Sequence, residues 1–571
     1  MLNGIFAPAP FYKALSVRKI TRMTEPLPPH YYLHNFRFMI DWVTDQHSDL
    51  LNAEESAFIQ TFNQLNQDSQ CLLVRMLGRK GCWFRSAKLH YAEIGDHELA
   101  AEQLIQSGLV SPNAPLSITE LVNIVTKPEL LLLFPNLLQA YKSQRKEILV
   151  EVLAAHYSEP ANWSQWTRNQ LDNLYRLDVQ HISDTLRLLF FGNAYQDLTE
   201  FVLQDLGLFR YEQYAIDKQH RVFQDRTEVL QYQQLVLLRE LFDAADDLNA
   251  LQQLLPLLPE KFANPAMERR RARLFNQVAY EFERYGELTT AIQLYRDVTL
   301  PPARERQVRL LEKLGKFDAA WQLLNEILTH PANEHELQLA HRMAPRLARK
   351  IRADFVKPIK QSIKEQRLTL PRITDEQGNP LIVEAVAQAY FDKPEAPCFY
   401  AENLLLNGLF GLWLWPEMFR SVAGAFAHPF QGAPLDMYQE DFLMNRPGIN
   451  DLWQLFDRDQ HVHHIKAVWE QKFGITNHFV HWQFLDETLV ELALHCIPAS
   501  PLKAMFQRLL FDIQANRSGL PDLIQFFPDQ KNYRLIEVKG PGDRLQDNQL
   551  RWLNFFAEQK IPAEVCYVSW Q

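Results

Sequence analysis

Apolar positions along this chain recur mostly with the 3.6-residue period of helices, and only near the C-terminus do they fall into short continuous runs. After a Pro-rich entry, "EPLPPHYY", the stretch "NFRFMIDWVTDQHSDLLNAEESAFIQTFNQL" predicts helix. "SITE" (Ser117 to Glu120) has capping-box spacing and predicts a helix start. "TKPELLLLFPNLLQAYKSQRKEILVEVL" then reads as two short helices broken near Pro135. From about Asn162 to Leu258 the pattern is helical and Leu-rich. Two segments then repeat: "YEFERYGELTTAIQLY" (Tyr280 to Tyr295) and "RLLEKLGKFDAAWQLL" (Arg309 to Leu324) align Gly286 with Gly315, Ala291 with Ala320 and Leu294 with Leu323. The glycine and small residue suit close packing in stacked helical hairpins, a tetratricopeptide-like signature spanning about Glu260 to Ala348. "TLPRITDEQGNPLIVEAVAQAYF" (Thr369 to Phe391) reads as a linker and hairpin into a last domain.

That last domain changes period. "LIQFFP" (Leu523 to Pro528) and "YRLIEVKG" (Tyr533 to Gly540) read as strands joined by the turn "DQKN". "LQDNQLRWLNFFAEQ" reads as an amphipathic helix with Leu550, Trp552, Leu553 and Phe556 near one face, and "AEVCYVSW" closes with a strand.

A length of 571 residues is too much for one hydrophobic core, so several domains are expected. The predicted division is 1–66, helical; 67–150, a DNA-binding region; 151–258, a helical linker domain; 259–368, the repeats; and 369–571, with a core at about 450–571. Five widely separated cysteines suggest neither a disulfide framework nor a zinc knuckle, which points to a reducing, cytosolic setting. The N-terminus lacks the pattern of a signal peptide, and the longest apolar run, "LLLNGLFGLWLW", is too short for a membrane span.

The formal net charge is -10, yet basic residues are segregated. "CLLVRMLGRKGCWFRSAKLHYAEIG" (Cys71 to Gly95) interleaves Arg75, Arg79, Lys80, Arg85 and Lys88 with aromatic rings. That suits a surface tracking a nucleic-acid backbone, or equally a solvated helix with a buried aromatic face. Lys142, Arg145 and Lys146 end a compact helical pair. Arg269, Arg270, Arg271 and Arg273 precede the repeats, and a longer basic run from Arg342 to Arg367 follows them. Such segregation fits a phosphate backbone, or an acidic protein partner.

Asp522 opens the first predicted strand, and Glu537 and Lys539 project to one face of the second. A hairpin turning at Asp529 to Asn532 brings Asp522 near their level. Two carboxylates at one sheet edge repel and desolvate each other, and a hard divalent cation such as Mg²⁺ or Mn²⁺ relieves both penalties. A neighbouring lysine then orients a water for attack on a phosphodiester or neutralises developing charge. The bland alternative is a buried ion pair between Lys539 and a carboxylate. His461, His463 and His464 have ligand-like spacing but no partner pattern for zinc.

"SGLPDL…IEVKGPGDRLQDNQLRWL" resembles the VRR-NUC domain, a branch of the PD-(D/E)xK nuclease superfamily, and the whole chain resembles the Fanconi-anaemia-associated nuclease family in a bacterial form. The resemblance is carried mainly by Cys398 to Gln571. It implies a multidomain, mainly α chain, with helical N-terminal, SAP-like and tetratricopeptide-like regions, ending in an α/β PD-(D/E)xK nuclease domain. It also implies a structure-specific nuclease acting on branched or flapped DNA as a 5′ flap endonuclease and 5′-to-3′ exonuclease in crosslink repair, at the nucleoid. "AENLLLNGLFGLWLWPEMF" matches the family's catalytic helix, which makes Glu402 a third metal ligand; periodicity alone makes it a helix-start carboxylate. The backbone carbonyl of Val538 joins the implied ligand set, Gln431 is implied near the site, and Arg517 and Arg544 match phosphate-holding positions. Gln514 departs from a family basic position just before "GLPD", which bears on a terminal-phosphate pocket. Two rival functions stand beside this: a non-catalytic helical scaffold for DNA or proteins, and a Holliday-junction resolvase-like nuclease.

Overall fold

Asn52 and Asn66 cap the second and third helices in the computed structural model, which describes residues 28–196, 210–356, 362–375, 377–439 and 441–571. The chain divides into two compact units, one of residues 24–208 and one containing residues 209–571. The first unit runs α1 (Tyr31–His47), α2 (Ala53–Gln64), α3 (Gln67–Leu77), β1 (Trp83–Arg85), α4 (His97–Gln106), β2 (Val110–Pro112), β3 (Pro115–Leu116), α5 (Ile118–Ile124), α6 (Lys127–Leu133), α7 (Lys146–His156), β4 (Ala161–Asn162), β5 (Leu174–Leu177) and α8 (Gln180–Phe191). Ser117 and Glu120 form the expected capping box at the start of α5. Helix α6 stops at Phe134, because Pro135 has no N–H to continue the ladder and opens a new four-residue turn instead. Strands β1, β5 and β2 make a small antiparallel sheet in that order.

The helical linker domain expected at 151–258 is not one element. Leu174–Leu177 is a strand of the first unit, and α9 (Arg226–Ala244) belongs to the second, while residues 197–209 lie outside the described residues. The repeat expectation fares better. Helices α10 (Pro265–Arg284) and α11 (Leu288–Arg296) form one hairpin, α12 (Ala303–Lys313) and α13 (Phe317–Thr329) a second, and α14 (Glu334–Ile351) packs on the second. Ala291 and Ala320 are fully buried, as the alignment predicts. The glycines act differently from the expectation. A Cβ at Gly286 or Gly315 would meet nothing within 4 Å. Their φ values of 86° and 73° show that each is needed to reverse the chain in the left-handed region after a helix, rather than for close packing.

The C-terminal part is a five-stranded mixed sheet. Its strands are β6 (Lys364–Leu370), β7 (Cys398–Tyr400), β8 (Leu523–Phe527), β9 (Asn532–Lys539) and β10 (Ala563–Trp570), in the order β6-β10-β9-β8-β7. Strands β6, β10 and β9 are parallel, and β8 and β7 are antiparallel additions. Lys364–Leu370 therefore corrects the expected boundary at 369, since an edge strand of this sheet begins within the basic run assigned to the repeats. Helix α15 (Val383–Phe391) covers one face, against Leu523, Ile536, Val538, Cys566 and Val568. Helix α16 (Leu405–Met418), α17 (His461–Lys472) and α18 (Asp547–Glu558) contribute to the core on the other, with Ile524, Phe526 and Leu535. In α16 thirteen of fourteen residues are buried, so its apolarity marks a core helix. Among the described residues no single helix is long and apolar enough to cross a membrane.

Candidate active site

Strand pairing brings distant carboxylates together. At the end of β7, Tyr400 pairs with Leu523 of β8. The chain then folds over Asp522, whose backbone carbonyl accepts hydrogen bonds from the N–H groups of Ala401 at 2.8 Å and Glu402 at 3.2 Å. Three residues earlier, Gly519 lets the chain pass close to the start of α18: its φ is 84°, and a Cβ there would lie 2.8 Å from Asn548. On the other side, Asp522 Oδ2 accepts a hydrogen bond from the Val538 N–H at 2.7 Å, which fixes the carboxylate against β9. Glu537 Oε1 accepts from Lys539 Nζ at 2.6 Å.

All three groups are buried; Asp522 is 6% exposed, Glu537 1% and Lys539 9%. Glu537 Oε2 is buried with no hydrogen-bond partner. Burial, followed by repulsion from Glu537 and Glu402, pushes the Asp522 carboxyl up to about 8, despite the Val538 N–H and Lys539. Burial likewise pushes Glu537 up to about 7 against the pull of Lys539. These are carboxyls short of positive charge. An ion pair alone does not complete the set, because one lysine faces two acids and leaves Oε2 unpartnered.

Glu402 lies beside Asp522, its N–H bonded to the Asp522 carbonyl. Its carboxylate accepts from the Tyr400 hydroxyl and, at 3.1 Å, from Asn403 Nδ2. Tyr400 is itself held strongly in the phenol form by burial and by Glu402. Among the described residues no three His, Cys, Asp or Glu side chains already converge as a metal cluster. Sequence reasoning missed Tyr400, and also Glu384 in the first turn of α15, whose charge adds to the repulsion on Glu537. Neither has a signal in periodicity, since Tyr400 reaches the site through strand pairing and Glu384 through the packing of α15 on the sheet.

The remaining candidates divide. Gln431 is buried, with its side-chain oxygen accepting from Ala427 and His428 N–H groups, so it shapes its own loop. Arg517 is exposed, 2.6 Å from His478 Nε2 and over the Tyr438 ring. Arg544 is exposed on the loop between β9 and α18. His461 is buried and stacked on Phe456, and His464 contacts the Trp413 carbonyl at 3.0 Å, so these two serve packing, whereas His463 is exposed. Arg271 is buried and paired with Glu268, which removes it from any phosphate surface. Arg346 and Arg342 pair with Glu312 and Asp547, while Lys357 and Lys360 lie outside the described residues. In the first unit Arg75 pairs with Glu93, and Arg85 with Glu129 and Asp172. Arg79 and Lys88 line two clefts of about 530 and 320 Å³ there, remote in sequence from the acidic set.

Comparisons with known proteins agree with this architecture. The model of the VRR-NUC domain matches residues 457–570, that of the FAN1 HTH domain residues 30–111, and that of the Fanconi anemia-associated nuclease SAP domain residues 115–166. Cys71 to Gly95 falls in the second of these. A Fanconi-associated nuclease 1 homolog from Pseudomonas aeruginosa is 40% identical over 554 residues, covering 95% of this chain and 96% of that protein. Human Fanconi-associated nuclease 1 is 23% identical over 94% of this chain and 62% of its own length. A crystal structure of paFAN1 bound to 2-nt 5′-flap DNA with a gap superposes with a TM-score of 0.83 at 40% identity, covering 96% of this chain and 99% of that one.

Proposed function

The chain belongs to the Fanconi-associated nuclease 1 family, and on that premise we propose that it hydrolyses phosphodiesters at 5′ flaps and degrades DNA 5′ to 3′ during crosslink repair. It is a DNA nuclease with a VRR-NUC domain, a type that uses divalent metal. Asp522, Glu537, Glu402 and the Val538 carbonyl would hold Mg²⁺ or Mn²⁺, both of which favour oxygen donors. The observation that carries this is the buried, unpartnered Glu537 Oε2 beside a second carboxyl that burial and repulsion make reluctant to ionise. When bound, the cation supplies Lewis-acid stabilisation of charge on the phosphate.

The chain's own residues do the rest. Val538 N–H and the backbone bonds to Ala401 and Glu402 hold Asp522 in a fixed orientation. Tyr400 and Asn403 hold Glu402. Lys539, released from Glu537, orients the attacking water or donates to a phosphate oxygen as negative charge develops. The exposed Arg517 and Arg544 contact phosphates, and the HTH and SAP regions bind the duplex arms. Gln431 acts indirectly by shaping its loop. The work site is the bacterial cytoplasm, at the nucleoid; all five cysteines are free thiols, as a reducing setting requires.

Digestion of end-labelled flap, nicked, forked and four-way DNA with Mn²⁺ or Mg²⁺, beside Asp522→Ala, tests this. Flap cutting that the variant lacks is expected. Preferred cutting of four-way junctions would favour a resolvase, and binding without cleavage a scaffold.

A further inference from the structure

The catalytic lysine is the first residue of a row that runs across the sheet to its edge. In the parallel register Lys539 of β9 lies beside Tyr567 of β10, and Tyr567 lies beside Arg367 of β6. Register neighbours in a sheet share a face, so all three side chains stand on the side that carries the carboxylates. The contact itself bears this out, with the Arg367 guanidinium 5.2 Å from the centroid of the Tyr567 ring. One level further along the strands, Thr369 and Ser569 pair their exposed hydroxyls at 3.0 Å.

Edge strands often carry charge merely to discourage pairing with another chain, and Lys364 on β6 serves that end while bonding Glu564. Arg367 differs from it. Its side chain is 79% exposed, and its acidic neighbour, Glu365, is 3.8 Å away and itself half exposed. The guanidinium is thus open to an anion while its flat face rests on an aromatic ring, a combination suited to a nucleic-acid strand. Strands about 4.8 Å apart put the Arg367 backbone roughly 10 Å from that of Lys539, within reach of a neighbouring phosphate of the same strand.

We propose that Tyr567 and Arg367 form a DNA contact beyond the scissile phosphate: Arg367 binds a neighbouring backbone phosphate of the same strand, and Tyr567 packs against the intervening base or sugar. The inference rests on the role of Lys539 proposed above. The occupant is the substrate's own strand, because the row is continuous with the acidic set and its charge complements a polyanion.

The test pairs a protein change with a substrate change. Flap oligonucleotides carry one neutral methylphosphonate, placed in turn at each linkage close to the cut on either side of it. With the wild-type protein, one placement should raise KM about tenfold, as loss of a charge-assisted contact does. Arg367→Gln should raise KM similarly on unmodified flap DNA, with a salt slope of binding shallower by about one. Combining the variant with that placement should add nothing further. Tyr567→Leu should also raise KM, and Tyr567→Phe should restore it. Additive effects, or an unchanged KM and salt slope for Arg367→Gln, would overturn the proposal. Failure of the wild-type protein to cut any flap would instead overturn the proposed function.

Discussion

Replacing Asp522 with asparagine should stabilise the metal-free protein while abolishing cleavage. The amide oxygen still accepts the Val538 N–H, so the local geometry survives. What disappears is a carboxyl that is 6% exposed, faces Glu537 and Glu402, and is pushed up to about 8. A carboxyl with a higher pKa folded than unfolded supports the fold fully below its unfolded value near 3.9, and that support is lost as pH climbs through about 8. At pH 8.5 the folded chain must therefore ionise a group that resists ionisation by about four pH units, at ~1.4 kcal/mol each. Water entering the site relieves part of that, leaving about 2–4 kcal/mol. Without metal, Asp522→Asn should then melt about 3–5 °C above the wild type at pH 8.5 in differential scanning calorimetry. At pH 4 the two should melt together. Saturating Mn²⁺ should reverse the order at pH 8.5, because only the wild type gains binding stabilisation. A variant that melts lower than the wild type without metal at pH 8.5, or a difference independent of pH, would refute the reasoning.

Other outcomes follow from the same geometry. Glu402→Gln should keep the fold, weaken Mn²⁺ binding in calorimetric titration and slow cleavage at least about a thousandfold, as loss of metal-borne charge stabilisation does. Lys539→Met should lose cleavage but bind Mn²⁺ at least as tightly, since Glu537 Oε1 is released from its ion pair; weaker binding would mean that the lysine helps hold the cation. The apparent Mn²⁺ affinity should climb with pH and flatten above about 8, because protons on Glu537 and Asp522 compete with the ion. Titrations at a series of pH values in buffers of different ionisation heat would count the protons released.

The part of the fold most legible from sequence was the C-terminal hairpin, helix and strand. Apolar runs flank an evident turn there, and Glu537 and Lys539 stand out as charges inside one of them. Glu402 was singled out only through family resemblance. Its place beside Asp522 depends on β7 pairing with β8, some 120 residues later in the chain, and no local pattern encodes such a pairing. Strand β6 was missed because "KEQRLTL" is an edge strand, mostly polar and embedded in a basic run, so its charges masked its period. The same weakness misjudged Arg271. A cluster of arginines resembles a surface until one of them is seen buried against Glu268 and the carbonyls of Pro259 and Asp297. The repeat glycines were visible as a pattern, but their purpose became clear only from backbone angles.

The central claim is that the buried carboxylates of β8 and β9, with Glu402, exist to hold one divalent ion. Anomalous diffraction from crystals soaked in Mn²⁺ tests this most directly. The account predicts a peak ~2.1 Å from Asp522, Glu537 Oε2 and the Val538 carbonyl, with Glu402 turned toward it. A Mn²⁺-saturated crystal with no peak there, and Glu537 still bonded only to Lys539, would contradict it.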